Sequence, residues 1–248
     1  MLKVEKVYKN FGALQVLRDI SFTVELGGPR LVIIGPNGAG KTTLFNIITG
    51  ELSPSGGKVY LFSRDVTKAP CHRRAHLGLG RTFQIVDLFP DFTVMENTLL
   101  GLQAHEPFRF HMIRPLTSYT HMTEKARTLL ERIGLWEKRD FPINSLSYGE
   151  MRRVELTLGL AIEPKILLLD EPTAGLTSSE SLELAGLIQT LRRDMTLVVI
   201  EHDMKVAFTL AERMIVLHHG EILADGDPEQ IRTNPKVREV YLGERMGV

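Results

Sequence analysis

The sequence predicts an α/β fold with a mostly parallel core sheet, an antiparallel β subdomain and an inserted helical subdomain. Three patterns carry that prediction. The runs LVII (Leu31–Ile34), ILLL (Ile166–Leu169) and LVVI (Leu197–Ile200) are short and continuously apolar, as strands covered on both faces by helices must be. The first segment alternates instead, with Leu2, Val4 and Val7 followed by Ile20, Phe22 and Val24, which suits half-buried antiparallel strands. From residue 85 to residue 160 the apolar spacing is helical, clearest in TEKARTLLERIGLW. After Ile200, RMIVLHHGEILADGD predicts a hairpin turning at His219 and Gly220, and the chain runs out through VREVYLGERMGV.

Composition narrows the function. The 248 residues are 43% apolar and 24% charged, ordinary for a globular chain with a sizeable core. Thirty basic residues balance thirty acidic ones, so no overall field draws nucleic acid, and no nucleic-acid partner is expected. Cys71 is the only cysteine, and no signal-like segment opens the chain; a reducing, cytosolic compartment is expected. No apolar run approaches the roughly 20 residues that cross a bilayer, so work at a membrane would need a separate membrane partner. Cys71, His72 and His76 do not form a four-ligand zinc pattern.

Each apolar run is followed by polar chemistry: GPNGAGKTT, DEPTAG and EHD. Ligands of open α/β sheets bind just outside the carboxyl ends of the strands, so the three clusters imply one shared site. GPNGAGKT (Gly35–Thr42) matches G-x-x-x-x-G-K-[ST] between a strand and a helical pattern, the context a P-loop requires. The core is therefore that of a P-loop NTPase. Gly35, Gly38 and Gly40 let backbone N–H groups wrap a β-phosphate, Lys41 reaches the β- and γ-phosphates, and Thr42 ligates Mg²⁺. With Pro36, Asn37, Ala39 and Thr43 they make up the expected ATP site. GLGRTF at Gly78 fails the dinucleotide fingerprint at its last position, which disfavours a dehydrogenase.

Asp170 ends an apolar strand and Glu171 follows it. The first can hold Mg²⁺ and the second can polarise the attacking water as a general base. His202 follows another buried strand and would contact the γ-phosphate. NSLSYGEMRR (Asn144–Arg153) opens a helix whose apolar residues Met151, Val154, Leu158 and Ala161 or Ile162 predict one buried face. Ser147 and Glu150 fit a capping box, but Gly149 in the first turn costs roughly 1 kcal/mol against alanine. A phosphate approaching bare helix N–H groups would account for it.

With LSYGE between the phosphate loop and ILLLDE, and EHD beyond, the chain resembles the ATPase subunits of ABC transporters almost end to end. The resemblance implies one ABC ATPase domain, residues 1–248: a nucleotide-binding core with C-terminal tail over 1–84 and 161–248, and a helical subdomain over 85–160. It implies that Gln84 in RTFQ is the linker glutamine, a catalytic residue that senses Mg²⁺ and faces the membrane partner. Phe11, or Tyr8 in its place, would stack on adenine. Two ATPase subunits, identical or not, would close head to tail, with Ser147 and Gly149 of one binding the γ-phosphate of ATP held by the other. Integral-membrane permease subunits would dock on the pair and an extracytoplasmic solute-binding protein would serve them, placing the chain peripherally on the cytoplasmic face of the inner membrane. Tyr148 stands where the commoner signature has glycine, Glu150 where it has glutamine, and Thr177 where the subunit-crossing loop has aspartate.

Within the family, GLGRTFQIVDLFPDFTVMENTLLG and VYLGE resemble the bacterial ATPases for branched-chain and other hydrophobic amino acids, which also carry an extra segment like Gln103–Met122. Lipopolysaccharide-export and urea-transport ATPases are the alternatives. A soluble ABC protein would usually have two ATPase domains or coiled-coil arms, and a P-loop kinase would leave Ser147, Gly149 and His202 without jobs.

Overall fold

The computed structural model describes residues 1–82, 88–103 and 119–243. Among the described residues, ten strands form two sheets. The first is antiparallel, in the order β2 (Leu14–Val24), β1 (Leu2–Phe11), β4 (Gly56–Leu61), β5 (Arg64–Asp65). The second has the order β10 (Glu221–Gly226), β9 (Arg213–His218), β3 (Leu31–Ile34), β8 (Thr196–Ile200), β7 (Ile166–Asp170), β6 (Leu79–Arg81), parallel except for β10. The alternating and continuous hydrophobic runs thus form the antiparallel and parallel sheets they predict. The β9–β10 hairpin turns at His219 and Gly220, with φ of 48° and 80°, the left-handed pair that matches strand twist.

The parallel strands have no solvent face. Leu31, Ile33, Ile166, Leu168, Val198 and Ile200 point into a core shared with the antiparallel sheet and with Leu44, Phe45, Ile47 and Ile48 of α1 (Lys41–Thr49). Val32, Ile34, Leu167, Leu169, Leu197 and Val199 point the other way, onto α5 (Tyr148–Ala161), α6 (Ser178–Gln189) and α7 (Met204–Leu210). That double coverage is why the runs lack alternation. The short α2 (Cys71–His76) follows β5, while α3 (Val94–Gln103) and α4 (Thr120–Arg132) pack on α5, and α8 (Pro228–Thr233) and α9 (Pro235–Gly243) close the chain.

Two expectations are corrected. Helix α5 is not buried on one face: Arg152, Val154, Glu155, Leu156, Thr157, Gly159, Leu160 and Ala161 are all buried, whereas Met151 and Leu158 are only partly so. It lies between the sheet and the α3–α4 layer, so both sides are covered, and Arg152 and Glu155 pair at 2.8 Å inside that packing. The helix expected through TEKARTLLERIGLW stops at Arg132; Gly134, at φ 71°, turns the chain so that Leu135 packs with Leu130.

Arg74 of α2 ties the phosphate-loop helix to the segment that follows β5. It is 1% exposed, yet its guanidinium donates to four carbonyls: Ile47 (2.6 Å), Ile48 (2.7 Å), Thr67 (3.1 Å) and Ala69 (2.9 Å). Ile47 and Ile48 are in the last turn of α1, where carbonyls lack helical partners and a cation is favoured by the dipole. Arg74→Met keeps the volume and strands those acceptors in the interior, so it should cost about 3 kcal/mol in a denaturant titration. A loss under about 1 kcal/mol would show that the carbonyls find other donors.

Candidate active site

The loop after β3 has no spare room on its protein side. A Cβ on Gly35 would lie 2.2 Å from the Leu217 carbonyl oxygen, and one on Gly40, at φ 100°, would lie 2.6 Å from Leu17 Cδ2. On the other side, a Cβ on Gly38 would meet nothing within 4 Å. Helix α1 then begins without a side-chain cap and without an acid in its first turn. Helices α5, α6 and α8 all open with complete capping boxes. The first-turn N–H groups of α1 are thus left for an anionic ligand. Lys41 is buried beside them, its ammonium donating to the carbonyls of Gly35 (2.6 Å) and Pro36 (3.0 Å). Thr42, Asn37 and Gly38 are exposed, Pro36 and Thr43 partly so, and Ala39 is buried.

Sheet register brings the other candidates to the same edge. Ile33 pairs with Ile200, and Ile200 with Asp170, so the ends of β3, β8 and β7 lie side by side. The Asp170 side chain is fully buried; Oδ2 accepts from Arg81 Nη2 at 2.7 Å, and Oδ1 has no hydrogen-bond partner. Burial pushes the Asp170 carboxyl up from its usual range, and Arg81 pulls it back. An orphaned carboxylate oxygen at a strand end fits a metal ion or its water. Among the described residues no three His, Cys, Asp or Glu cluster as a metal site. That suits Mg²⁺, which is usually held by one or two protein groups and by substrate phosphates.

Glu171 has φ 47°, a strained conformation for a residue with a Cβ, fixed by its N–H donating to the Ile200 carbonyl at 3.0 Å. Its Oε2 lies 3.6 Å from His202 Nδ1, and the imidazole is half exposed. Sequence reasoning missed Glu201, which is fully buried. It accepts from Thr173 Oγ1 (2.8 Å), Thr173 N–H (3.3 Å) and His202 N–H (3.2 Å), and burial pushes its carboxyl up. Glu201 thereby braces the turn after Glu171 against His202. Its one sequence signal is an acid directly after a fully apolar strand.

Ser147 and Gly149 make their contacts with Glu150 and Glu180. The Ser147 hydroxyl accepts from Glu150 N–H, and Glu150 Oε2 accepts from Ser147 N–H at 3.0 Å, completing the capping box. A Cβ on Gly149 would lie 3.1 Å from Glu180 Oε1, so the first turn is crowded by a flexible side chain. Tyr148 fills the space above Gly175, where a Cβ would lie 2.9 Å from its ring. Thr177 caps α6 through a box with Glu180, a task that threonine and aspartate share. Phe11 is 49% exposed at the end of β1, with Lys9 Nζ 4.9 Å from its ring centroid; Tyr8 is partly buried. Gln84 lies outside the described residues.

Comparison with known proteins follows the same lines. The family described as ABC transporter matches residues 17–174, and one described as branched-chain amino acid ATP-binding cassette transporter matches residues 221–246. The chain is 40% identical to the high-affinity branched-chain amino acid transport ATP-binding protein LivG of Salmonella typhimurium, over 98% of each chain. It is 36% identical to the lipopolysaccharide export system ATP-binding protein LptB of Acidithiobacillus ferridurans, over 100% of this chain and 99% of that protein. Its fold is similar to the ADP conformation of an ATP-binding cassette of an ABC transporter, with TM-score 0.86, 31% identity and 98% of each chain covered. A second similar structure is a dimeric post-hydrolysis cassette bound to ADP and Pi, with TM-score 0.76, 28% identity, and 92% of this chain and 98% of that one covered.

Proposed function

The chain belongs to the ABC transporter ATP-binding family, and from that premise we propose that it is the ATP-hydrolysing subunit of a bacterial importer for branched-chain or other hydrophobic amino acids. The observation that carries the reaction is the convergence of the uncapped phosphate loop, Asp170, Glu171 and His202 at adjacent strand ends. For the solute, support comes from residues 221–246, which match the branched-chain amino acid family. The core spans 1–84 and 161–248, and the helical subdomain 85–160.

In this reading the N–H groups of Gly35–Thr43 and the Lys41 ammonium hold the β- and γ-phosphates, and Phe11 stacks on adenine. Thr42, Asp170 and Gln84 are the residues that would hold Mg²⁺, which when bound neutralises charge developing on the phosphate oxygens. Glu171 takes a proton from water as its oxygen attacks the γ-phosphorus; the bond to the bridging β–γ oxygen breaks, and ADP and phosphate leave. His202, beside Glu171, contacts the γ-phosphate and keeps the water aligned. On the open side of the site, Ser147 and Gly149 of a second ATPase subunit supply further donors to the γ-phosphate.

No helix among the described residues is long and apolar enough to cross a membrane, so transport requires permease subunits, and through them a solute-binding protein. The exposed Phe89 and Phe92, stacked at 5.4 Å, neighbour the exposed Phe141 on backbones joined by the Phe141–Val94 and Phe92–Ile143 hydrogen bonds. Such an apolar patch suits a permease contact, with the chain peripheral at the cytoplasmic face of the inner membrane. Likeness to LptB makes lipopolysaccharide export the second reading. Copurified and reconstituted with its membrane subunits, the ATPase should be stimulated by a hydrophobic amino acid and its binding protein; stimulation by lipopolysaccharide alone would overturn the solute assignment.

A further inference from the structure

Arg81 ends β6, the edge strand of the parallel sheet, and its guanidinium is 10% exposed. Its contacts converge on the nucleotide site from behind. Nη2 donates to Asp170 Oδ2 at 2.7 Å, while Nη1 donates to Asn46 Oδ1 at 2.8 Å and to Glu51 Oε1 at 2.9 Å, with Thr49 Oγ1 at 3.4 Å. Asn46 belongs to the phosphate-loop helix α1, and Glu51 follows its C-cap, Gly50. One planar cation thus ties the strand that carries Asp170 to the helix that carries Lys41 and Thr42.

Resting on the nucleotide site proposed above, we infer that Arg81 is a positioning residue for the metal-holding carboxylate: it engages Oδ2 of Asp170 and so presents Oδ1 to the cation that accompanies ATP. A carboxylate alone can turn about its last bond and exchange its oxygens. A charge-assisted bond to a guanidinium that is itself held by Asn46 and Glu51 removes that freedom. The second oxygen, buried and without a hydrogen-bond partner, is then preset. Outer partners of this kind typically change metal affinity by about 10- to 100-fold when removed. Electrostatics alone acts in the opposite direction, because a fixed cation repels an incoming divalent one. Arg81 is flanked by Asp170 and Glu51, which offset its charge, so orientation dominates.

The sign of one measurement separates the two effects. A fluorescent ADP analogue is bound to the protein, first in EDTA and then in a titration of free Mg²⁺, with Mn²⁺ followed by electron paramagnetic resonance as a second readout. Arg81→Met should raise the half-saturating Mg²⁺ and Mn²⁺ by about 10-fold and leave nucleotide affinity in EDTA unchanged. Arg81→Lys, which keeps the charge but not the planar fork, should also raise it, and Glu51→Gln should raise it less. An unchanged or lower metal requirement in Arg81→Met would overturn the inference. So would a loss of EDTA-phase affinity equal to the loss seen with metal, since that marks a general structural defect. Failure of the wild-type chain to bind the analogue at all would instead overturn the nucleotide site.

Discussion

Replacing Lys41 by alanine is expected to lower ATP hydrolysis by about 10³-fold, the scale on which a preorganised donor to a developing oxyanion acts. Lys41 is buried at the first position of α1 and held within the loop by the Gly35 and Pro36 carbonyls. Its ammonium is preset before nucleotide arrives, so little reorganisation is needed when charge moves to the phosphate oxygens. Nucleotide affinity should fall less than turnover, because the loop N–H groups remain. Far-UV circular dichroism should be unchanged, since the Gly35 and Pro36 carbonyls that Lys41 bonds lie in the loop after β3 and not in a strand. Phosphate release at the wild-type rate would remove Lys41 from the chemistry.

Glu171→Gln should lower hydrolysis by about 10²-fold or more while ATP still binds. Glutamine has the reach of glutamate and can adopt the same strained backbone, φ 47°, but cannot take the proton from water. The substitution also removes a negative charge close to the γ-phosphate, lessening repulsion in a site from which water is partly excluded. An ATP-bound closed dimer should therefore accumulate, visible by size-exclusion chromatography with light scattering as a doubled mass in ATP and not in ADP. A variant that turns over ATP at the wild-type rate would exclude Glu171 as the base.

What was legible in the sequence was local. Alternation in Leu2–Val4 and Ile20–Val24, and its absence in LVII, ILLL and LVVI, follow directly from one covered face against two, while a register irregularity between Val4 and Val7, with Lys6 at φ 47°, returns Val7 to the covered face. The phosphate loop was legible because the spacing of its glycines, Lys41 and Thr42 is fixed by backbone geometry. Strand β6 escaped notice because three residues, Leu79–Arg81, are too few to show a period. The single face expected for α5 was wrong because burial of Arg152 and Glu155 depends on their pairing, which hydrophobic spacing does not register. Arg81 and Glu201 act on Asp170 and Thr173, 89 and 28 residues away in the chain, so their jobs exist only once the sheet has formed. Gly149 shows the reverse case: its sequence position called for an explanation, and its neighbour within the chain, Glu180, is a flexible side chain that supplies only part of one.

The central claim is that the site is shared between two subunits, and Ser147→Arg tests it most directly. Ser147 is exposed and its side chain caps α5 by accepting from Glu150 N–H, so arginine is accommodated at the surface at the cost of one helix cap, about 1 kcal/mol. Equilibrium ATP binding is measured on the isolated monomer, and phosphate release on the assembled transporter. The account predicts ATP bound at wild-type affinity and phosphate release lowered by about 10²-fold, because the arginine blocks the neighbour's nucleotide and not its own. ATP binding and hydrolysis lost together, in a variant with a wild-type circular dichroism spectrum, would place Ser147 at its own chain's nucleotide and contradict the shared site.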